Sequence, residues 1–225
     1  MINVKVLTWQ SIFGDIWHNG VFPRLEEVDR PVILEIGAGY GGVSHHMNSV
    51  FPNSLYFVVD LPTTLLFSVA YLTMLHGPDK VVLMDDSSPS DPAAYKDASF
   101  VMVPNFLLSN LEPFLFDLAI NMDSFQEMTE SQVTTYLEFL APRTDLLYSK
   151  NIDEFENTTD KVAVSTVLQR YFDITPIAPW PTGPLSPYKN ARKFAGNIRR
   201  KLTAVTSGPQ KGGAYLAVPK TIESG

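Results

Sequence analysis

Cysteine is absent from the 225 residues of this chain. Its absence excludes disulfide bonds, thiolate metal sites and a cysteine nucleophile. No apolar run approaches the ~20 residues that a membrane-spanning helix needs. The first 20 residues also lack the basic start and apolar stretch of a secretory signal peptide. We therefore expect a cytoplasmic protein, and its length suits one α/β domain rather than two.

Basic residues are scarce until late in the chain. Residues 1–187 carry 9 lysines and arginines against 23 aspartates and glutamates, whereas residues 188–225 carry 8 basic residues and a single acid. An acidic body argues against nucleic acid as a partner. The late basic segment, 188–211, would suit a phosphorylated or nucleotide-linked acceptor, or it is a solvated stretch that offsets the acidic body. Its cationic side chains are Lys189, Arg192, Lys193, Arg199, Arg200, Lys201 and Lys211.

Strands and helices alternate along the sequence. Short apolar runs predict strands at residues 32–36, 55–59, 80–84, 99–103, 116–121, 144–149, 172–178 and 214–218. The predicted helices are 42–50, 63–76, 129–141 and 161–171. Alternation implies a mostly parallel sheet with helices on both faces, and the last two strands read more simply as an antiparallel edge pair. Because residues 63–76 are nearly all apolar, we expect that helix to be buried on several sides.

A glycine-rich turn follows the first predicted strand, at residues 37–42, and Asp60 ends the next strand. Glycines let the backbone turn tightly and approach a ligand, while a carboxylate at the neighbouring strand end can accept both hydroxyls of a ribose. The glycine spacing also satisfies the dinucleotide fingerprint, which alone is a weak signal. Glu35, just before the turn, should attract a cationic ligand and repel a pyrophosphate. These residues therefore favour S-adenosylmethionine over NAD.

The run from Glu35 to Gly41 resembles the first motif of class I S-adenosylmethionine-dependent methyltransferases. Segments 59–62, 103–105 and 124–128 are similar to the sugar O-methyltransferase family. The resemblance covers about residues 31–150. It implies a Rossmann-like methyltransferase fold, α/β in class, with a mostly parallel seven-stranded sheet, helices on both faces and a C-terminal antiparallel hairpin.

The resemblance also assigns residues to the cofactor. Its methionine end would lie against Glu35 and the glycine turn, its ribose against Asp60, and its adenine against Leu61. The full predicted set is Glu35, Gly37, Ala38, Gly39, Tyr40, Gly41, Asp60, Leu61, Pro104, Asn105 and Asn121. A competing assignment takes residues 80–84 as the third strand and places Asp85 or Asp86 near the adenine. We prefer 99–103, which leaves a short link to the fourth strand.

The loop after the fourth predicted strand should face the reacting methyl group, because ligands of doubly wound sheets bind beyond the carboxyl ends of the strands. Glu127 is the first candidate for the general base or for an anchor of the acceptor hydroxyl, and Asp123 is the second. The alternative for Glu127 is an acid that only stabilises the helix dipole. Gln126 and Ser124 are predicted to contact the acceptor.

His45, on the helix after the glycine turn, is a third catalytic candidate, although a lone helical histidine more often packs or faces solvent. Asp123 and Glu127 could offer oxygen atoms to a divalent metal. Two carboxylates in one loop are weak evidence, so we predict no metal site.

Together these features predict a single methyltransferase domain over residues 1–225 that transfers a methyl group to a sugar or glycan hydroxyl. The alternatives are another small-molecule hydroxyl or amine, a nicotinamide-dependent oxidoreductase, and a non-catalytic cofactor-binding module. We divide the chain into an N-terminal helical segment (1–30), a cofactor-binding core (31–178), a Pro/Gly-rich and basic excursion (179–212), and a last strand with its tail (213–225). A homodimer is also compatible with the sequence.

Overall fold

The computed structural model describes residues 12–154, 163–177 and 211–220. Two helices, α1 over residues 12–18 and α2 at Val21–Glu26, precede the sheet. The strands are β1 Val32–Ile36, β2 Leu55–Asp60, β3 Val81–Leu83, β4 Phe100–Pro104, β5 Leu118–Met122, β6 Leu147–Glu154, β7 Phe172–Pro176 and β8 Lys211–Pro219. The further helices are α3 Gly42–Val50, α4 Pro62–His76, α5 Glu130–Leu140 and α6 Val164–Tyr171.

The strands form one sheet in the order β3-β4-β2-β1-β5-β6-β8-β7. Each pair from β3 through β6 is parallel, and β8 runs antiparallel to both β6 and β7. This arrangement confirms the predicted α/β fold class, with its mostly parallel sheet and C-terminal antiparallel hairpin. The parallel strands end together at one edge, where the glycine turn and Asp60 come side by side.

The described residues form a sheet of eight strands, one more than the seven that the resemblance implies. As preferred from the sequence, β4 is the strand that pairs with β2. Residues Val81–Leu83 pair with the other side of β4 and so form an additional edge strand. The two candidate segments for the third strand are therefore both strands, at neighbouring positions in the sheet.

Apolar side chains fill both faces of the sheet. One face packs against α1 to α4, and the other packs against α5, α6 and a short 3-10 helix at Asn105–Leu111. Successive strand residues point to opposite faces, so a strand covered on both sides reads as a continuous apolar run. This explains why β1, β2 and β4 could be recognised from short apolar segments alone.

Helix α4 departs from expectation. Only Leu65, Ser68 and Leu72 are buried along its 15 residues, whereas several large apolar side chains on its other side are exposed. The prediction that this helix is buried on several sides is therefore wrong. The sheet covers one side of α4, and among the described residues no element covers the opposite side.

Residues 178–210, which include nearly all of the predicted excursion and most of its basic cluster, lie outside the described residues. The N-terminal helical segment is described from residue 12 onward, and its apolar residues Ile12, Ile16, Phe22 and Leu25 are buried against the sheet. Within the described parts of the chain, no helix has the length and apolar character needed to cross a membrane.

Helix α5 begins with a capping box. The Gln132 backbone N–H donates to Thr129 Oγ1 at 3.3 Å, and the Thr129 backbone N–H donates to Gln132 Oε1 at 2.9 Å. The two bonds satisfy donors that the start of a helix leaves unpaired. They also fix where α5 begins, immediately after the loop that carries the catalytic candidates.

We predict that Thr129→Ala lowers the free energy of unfolding by about 1 kcal/mol, the usual cost of removing an N-cap hydroxyl. Urea denaturation followed by circular dichroism measures the change. Thr135→Ala is the matched control, because Thr135 is exposed within the same helix and its hydroxyl donates to the Ser131 carbonyl, which is not a cap of the helix start. Equal losses in the two variants would contradict a specific capping role.

Candidate functional site

A cavity of about 920 Å³ opens at the carboxyl ends of β1, β2, β4 and β5. Its volume lies within the ~300–1,000 Å³ typical of ligand sites, and its location is where doubly wound sheets bind their ligands. The 3-10 helix and α5 form its outer walls. The predicted site residues on its wall are Gly37, Gly39, Asp60, Leu61, Asn105, Asp123, Ser124 and Glu127.

Three glycines shape the turn between β1 and α3. Gly37, Gly39 and Gly41 have φ angles of 77°, 61° and 87°, which residues other than glycine rarely adopt. The Gly37 N–H donates to the Val59 carbonyl at 2.8 Å and so ties the turn to β2. A Cβ atom on Gly37 would overlap the side chain of Ser124. The turn can therefore pack against the catalytic-candidate loop only because Gly37 has no side chain.

The Asp60 carboxylate lies against the turn. Its Oδ2 accepts the Gly39 backbone N–H at 2.9 Å, and its Oδ1 accepts the Leu61 N–H at 2.7 Å. Desolvation raises the pKa of Asp60, and these backbone donors oppose the rise. The competing candidates Asp85 and Asp86 are exposed and do not line this cavity. Asp60 is thus the acid placed to meet a ribose over the glycine turn.

Glu35 is not on the cavity wall, which corrects its predicted contact with the cofactor. Strand side chains alternate between faces, so Ile36 faces the cavity while Glu35 faces α3. The Glu35 carboxylate accepts the Ser44 hydroxyl at 2.6 Å and the Tyr56 hydroxyl at 2.8 Å. Burial raises its pKa to about 7, and the hydrogen bonds from Ser44 and Tyr56 oppose the rise. Near neutral pH this group is therefore a buried, partly protonated tie between β1, β2 and α3.

A chain of amide and hydroxyl groups holds the loop after β5. Asn121 Nδ2 and Ser124 Oγ both donate to the Ile36 carbonyl, at 3.0 and 3.1 Å. Asn151 Nδ2 donates to Asn121 Oδ1 at 2.9 Å. Asn121 is fully buried and lies beneath the cavity rather than on its wall, so its predicted cofactor contact is also corrected. The network joins the ends of β1, β5 and β6, and Asn151 was not anticipated from the sequence.

Gln126 belongs to the same hydrogen-bond network. Its Oε1 accepts the Ile152 N–H at 2.7 Å, and its own N–H donates to Asn151 Oδ1 at 3.3 Å. The side chain is buried and is absent from the cavity wall. This placement corrects the prediction that Gln126 contacts the acceptor, because its side-chain oxygen holds β6 against the loop and its side-chain nitrogen donates to Glu127 Oε1 at 3.4 Å.

Two carboxylates of the loop face the cavity. Asp123 has a φ of 53°, a left-handed conformation uncommon outside glycine, and its N–H donates to the Lys150 carbonyl at 2.9 Å. Desolvation raises the pKa of the Asp123 carboxyl; the Lys150 ammonium opposes the rise and the Glu127 carboxylate adds to it. Strained backbone of this kind is concentrated at functional sites. Asp123 and Glu127 both line the cavity next to Ser124, and Asp123 does so from a strained backbone position.

His45 points away from the cavity. Its Nδ1 lies 2.9 Å from His76 Nε2 on α4, and its ring also packs against Tyr71. Burial lowers the pKa of both histidines. The structure thus gives His45 a packing role between α3 and α4 and corrects its candidacy as a catalytic residue.

Beside Glu35 and Asn121, four further residues predicted to contact the cofactor do not line the cavity: Ala38, Tyr40, Gly41 and Pro104.

The far wall of the cavity was missed by sequence reasoning. It comes from the 3-10 helix and α5, whose inward side chains include Phe106, Tyr136, Phe139 and Arg143. Tyr136 follows Val133 at the i+3 spacing of the apolar side of α5, and its hydroxyl within that apolar pattern was the available sequence signal of a polar neighbour. Among the described residues the wall is also strongly acidic, because beside one guanidinium, that of Arg143, it carries five carboxylates. These are Asp60, Glu112, Asp123, Glu127 and Glu138.

Solved structures of methyltransferases share this fold. The magnesium protoporphyrin IX methyltransferase ChlM of Synechocystis PCC 6803, with bound SAM, is 12% identical with a TM-score of 0.52, covering 98% of this chain and 86% of its own. Phosphoethanolamine N-methyltransferase 2 of Haemonchus contortus, in complex with S-adenosyl-L-methionine, is 14% identical with a TM-score of 0.50, covering 95% and 57%. The mitomycin 7-O-methyltransferase MmcR is 10% identical with a TM-score of 0.50, covering 84% and 49%.

These likenesses show that the chain has the Rossmann-like methyltransferase fold. The chain spans about half the length of MmcR. No family model matches the sequence, and no curated protein matches it.

The buried Glu35 should make stability depend on pH. Its folded pKa of about 7 exceeds the ordinary 4.5, so folding favours the protonated form. The contribution is fully present below pH 4.5 and is lost as the pH rises toward and through 7. We predict that the wild-type free energy of unfolding falls by roughly 3 kcal/mol more than that of Glu35→Gln over this interval, since each pKa unit corresponds to 1.36 kcal/mol.

Urea denaturation of both proteins at several pH values between 4 and 8 measures this difference. The glutamine retains an oxygen that can accept from Ser44 or Tyr56, so the comparison isolates the ionisation. Stability curves that run parallel across the whole range would show that Glu35 is already ionised in the folded protein.

Proposed function

We propose that the chain is an S-adenosylmethionine-dependent methyltransferase. The observation that carries this proposal is the charge of the cavity wall, to which the described residues contribute five carboxylates and one guanidinium. A wall of this kind attracts a ligand that presents a sulfonium and an ammonium, and it opposes the pyrophosphate of a dinucleotide. The electrostatic selection expected of Glu35 is thus supplied by other acids, which do line the cavity.

The residues present fit the cofactor at both ends. The turn leaves its backbone open to a ligand at Gly39, where an added Cβ atom would meet no other atom within 4 Å. The Asp60 carboxylate, beside Gly39, accepts hydrogen bonds and suits the two hydroxyls of a ribose. Leu61 and Phe106 are largely exposed on the wall nearby and offer apolar surface to an adenine.

The loop carboxylates would act on the acceptor. The bound cofactor supplies an electrophilic methyl group, and the protein aligns the acceptor and removes its proton. Glu127 is our first candidate for the proton acceptor and Asp123 the second, since both line the cavity beside Ser124. Desolvation raises the pKa of Asp123, which strengthens it as a base. The hydrogen-bond network of Asn121 and Asn151 fixes the loop that carries both acids.

For the acceptor we propose a sugar or glycan hydroxyl. The resemblance of residues 124–128 to sugar O-methyltransferases supports it, and carboxylates are suitable partners for hydroxyl groups. The described part of the wall is acidic, and it therefore favours a neutral acceptor over a phosphorylated one. The basic segment 188–211, which would suit a phosphorylated or nucleotide-linked acceptor, lies almost entirely outside them.

We predict that Asp60→Ala weakens binding of S-adenosylmethionine by about 1–3 kcal/mol, which is roughly 5- to 150-fold, through loss of its hydrogen bonds to the ribose. Isothermal titration calorimetry with S-adenosylmethionine, S-adenosylhomocysteine and NAD measures it. Asp86→Ala is the matched control, because this acid also follows a strand but is exposed away from the cavity. Unchanged affinity in Asp60→Ala would remove the ribose contact. Binding of NAD alone would replace the methyltransferase with a nicotinamide-dependent oxidoreductase.

We predict that Glu127→Gln lowers turnover at least ~100-fold while cofactor affinity is retained, as expected for loss of a general base. Transfer of a radiolabelled methyl group to a panel of acceptors measures turnover. The panel contains neutral hexosides, nucleotide-linked sugars, phenols and primary amines. Glu130→Gln is the control, since its carboxylate pairs with Arg170 at 2.6 Å outside the cavity.

The outcomes distinguish the remaining alternatives. Loss of turnover in Asp123→Asn but not in Glu127→Gln would make Asp123 the base. Preference for a phenol or an amine would replace the sugar acceptor without affecting the methyltransferase assignment. Cofactor binding with no transfer to any acceptor class would favour a non-catalytic binding module.

A further inference from the structure

The outward side of α4 is an exposed apolar surface. Leu66, Phe67 and Met74 are 70%, 68% and 77% exposed, and Ala70 lies exposed between them. These residues fall at i, i+1, i+4 and i+8, so they line one side of the helix. Large apolar patches on soluble proteins commonly mark interaction sites. We call these four residues the α4 stripe.

The α4 stripe is free of charge. Residues 61–78 contain no lysine, arginine, aspartate or glutamate, although the chain as a whole has a net charge of −7. Two copies of an acidic molecule repel each other wherever carboxylates face carboxylates. At the α4 stripe that repulsion is minimal, while apolar burial favours contact.

The pattern of side-chain sizes suits a contact between identical surfaces. Leu66, Ala70 and Met74 follow one another at intervals of four residues and form a single ridge. In a two-fold contact the same patch is used by both copies. An axis at Ala70 places its small side chain at the crossing, where the helices approach closely, and sets Leu66 of one copy beside Met74 of the other.

The place of α4 in the fold leaves room for a second copy. The helix packs on β3 and β4 at one end of the sheet, and β3 is the edge strand. Leu83 on β3 is 58% exposed, which continues the apolar surface toward that edge. No described element covers the α4 stripe, so a partner could approach it without displacing part of the fold.

A lipid surface fits the stripe less well. Helices that lie on membranes carry lysines and arginines on their polar face, and these attract anionic lipids. Helix α4 has none, and the first charged residues after it, Asp79 and Lys80, cancel. The acidic body would further oppose an anionic bilayer.

We propose that two copies of this chain pair across a two-fold axis at Ala70 through the α4 stripe. The pairing is independent of the proposed chemistry, because none of the stripe residues lines the cavity. In sedimentation velocity the wild-type chain should have twice its 25.1 kDa mass at tens of micromolar. Met74→Lys and Ala70→Glu should return it to the single-chain mass, because each buries a charge at the contact.

Leu115→Lys is the matched control, since Leu115 is 71% exposed but lies in the link before β5. This variant should remain dimeric. A wild-type chain that sediments as a monomer at 100 μM would overturn the proposal. So would a dimer that survives both stripe variants. Flotation with phosphatidylcholine–phosphatidylserine vesicles, abolished by Met74→Lys in an otherwise monomeric chain, would assign the stripe to lipid instead.

Cross-linking tests the axis and requires no destabilising charge. Because the chain contains no cysteine, Ala70→Cys introduces the only thiol, and mild oxidation should produce a disulfide-linked dimer. A mixture of Leu66→Cys and Met74→Cys chains should cross-link more efficiently than either alone. Leu115→Cys should remain monomeric on non-reducing gels. Equal cross-linking of Ala70→Cys and Leu115→Cys would contradict a specific contact at this helix.

Discussion

The hydrogen bond from the Gly39 backbone N–H to the Asp60 carboxylate joins the two strand ends on which the cavity depends. It needs a left-handed turn directly after β1 and an acid at the last position of β2. The parallel pairing of these strands brings the two features to the same edge. The turn also needs a residue without a side chain at Gly37, because Ser124 packs against it. Three strand ends therefore constrain one another at this point.

Polar groups buried beneath the cavity carry this constraint further. Glu35 ties β1 to α3 and β2 through Ser44 and Tyr56, while Asn121 and Asn151 tie β5 to β1 and β6. Hydrogen-bonded networks of buried polar groups hold one arrangement, since breaking any member leaves another unpaired. The sequence predicted that Glu35, Asn121 and Gln126 contact ligands. They are instead buried, and their hydrogen bonds hold in place the elements that carry the wall residues. The acids that face the cavity are a different set.

The cavity still favours a cationic ligand, although the acids responsible are not the one expected from the sequence. A cationic cofactor was expected because of one glutamate ahead of the turn, yet that side chain faces the opposite side of the sheet. The cavity is nevertheless acidic, because Asp60 ends β2, Asp123 and Glu127 lie in the loop after β5, and Glu112 and Glu138 come from the outer walls. The preference for a sulfonium over a pyrophosphate thus depends on charges gathered from distant parts of the chain.

Local sequence was sufficient wherever a structural rule acts over a few residues. The apolar runs of β1 and β2, the glycine turn, the start of α5 at Thr129 and the α/β order could all be predicted, because turn geometry, capping and strand burial depend on near neighbours. Only the tertiary structure decided which side of β1 Glu35 faces, which residues of α5 line the cavity, and which side of α4 is left uncovered. Those outcomes depend on how separate elements pack together, and an apolar helix has the same sequence whether the sheet covers one of its sides or several elements surround it.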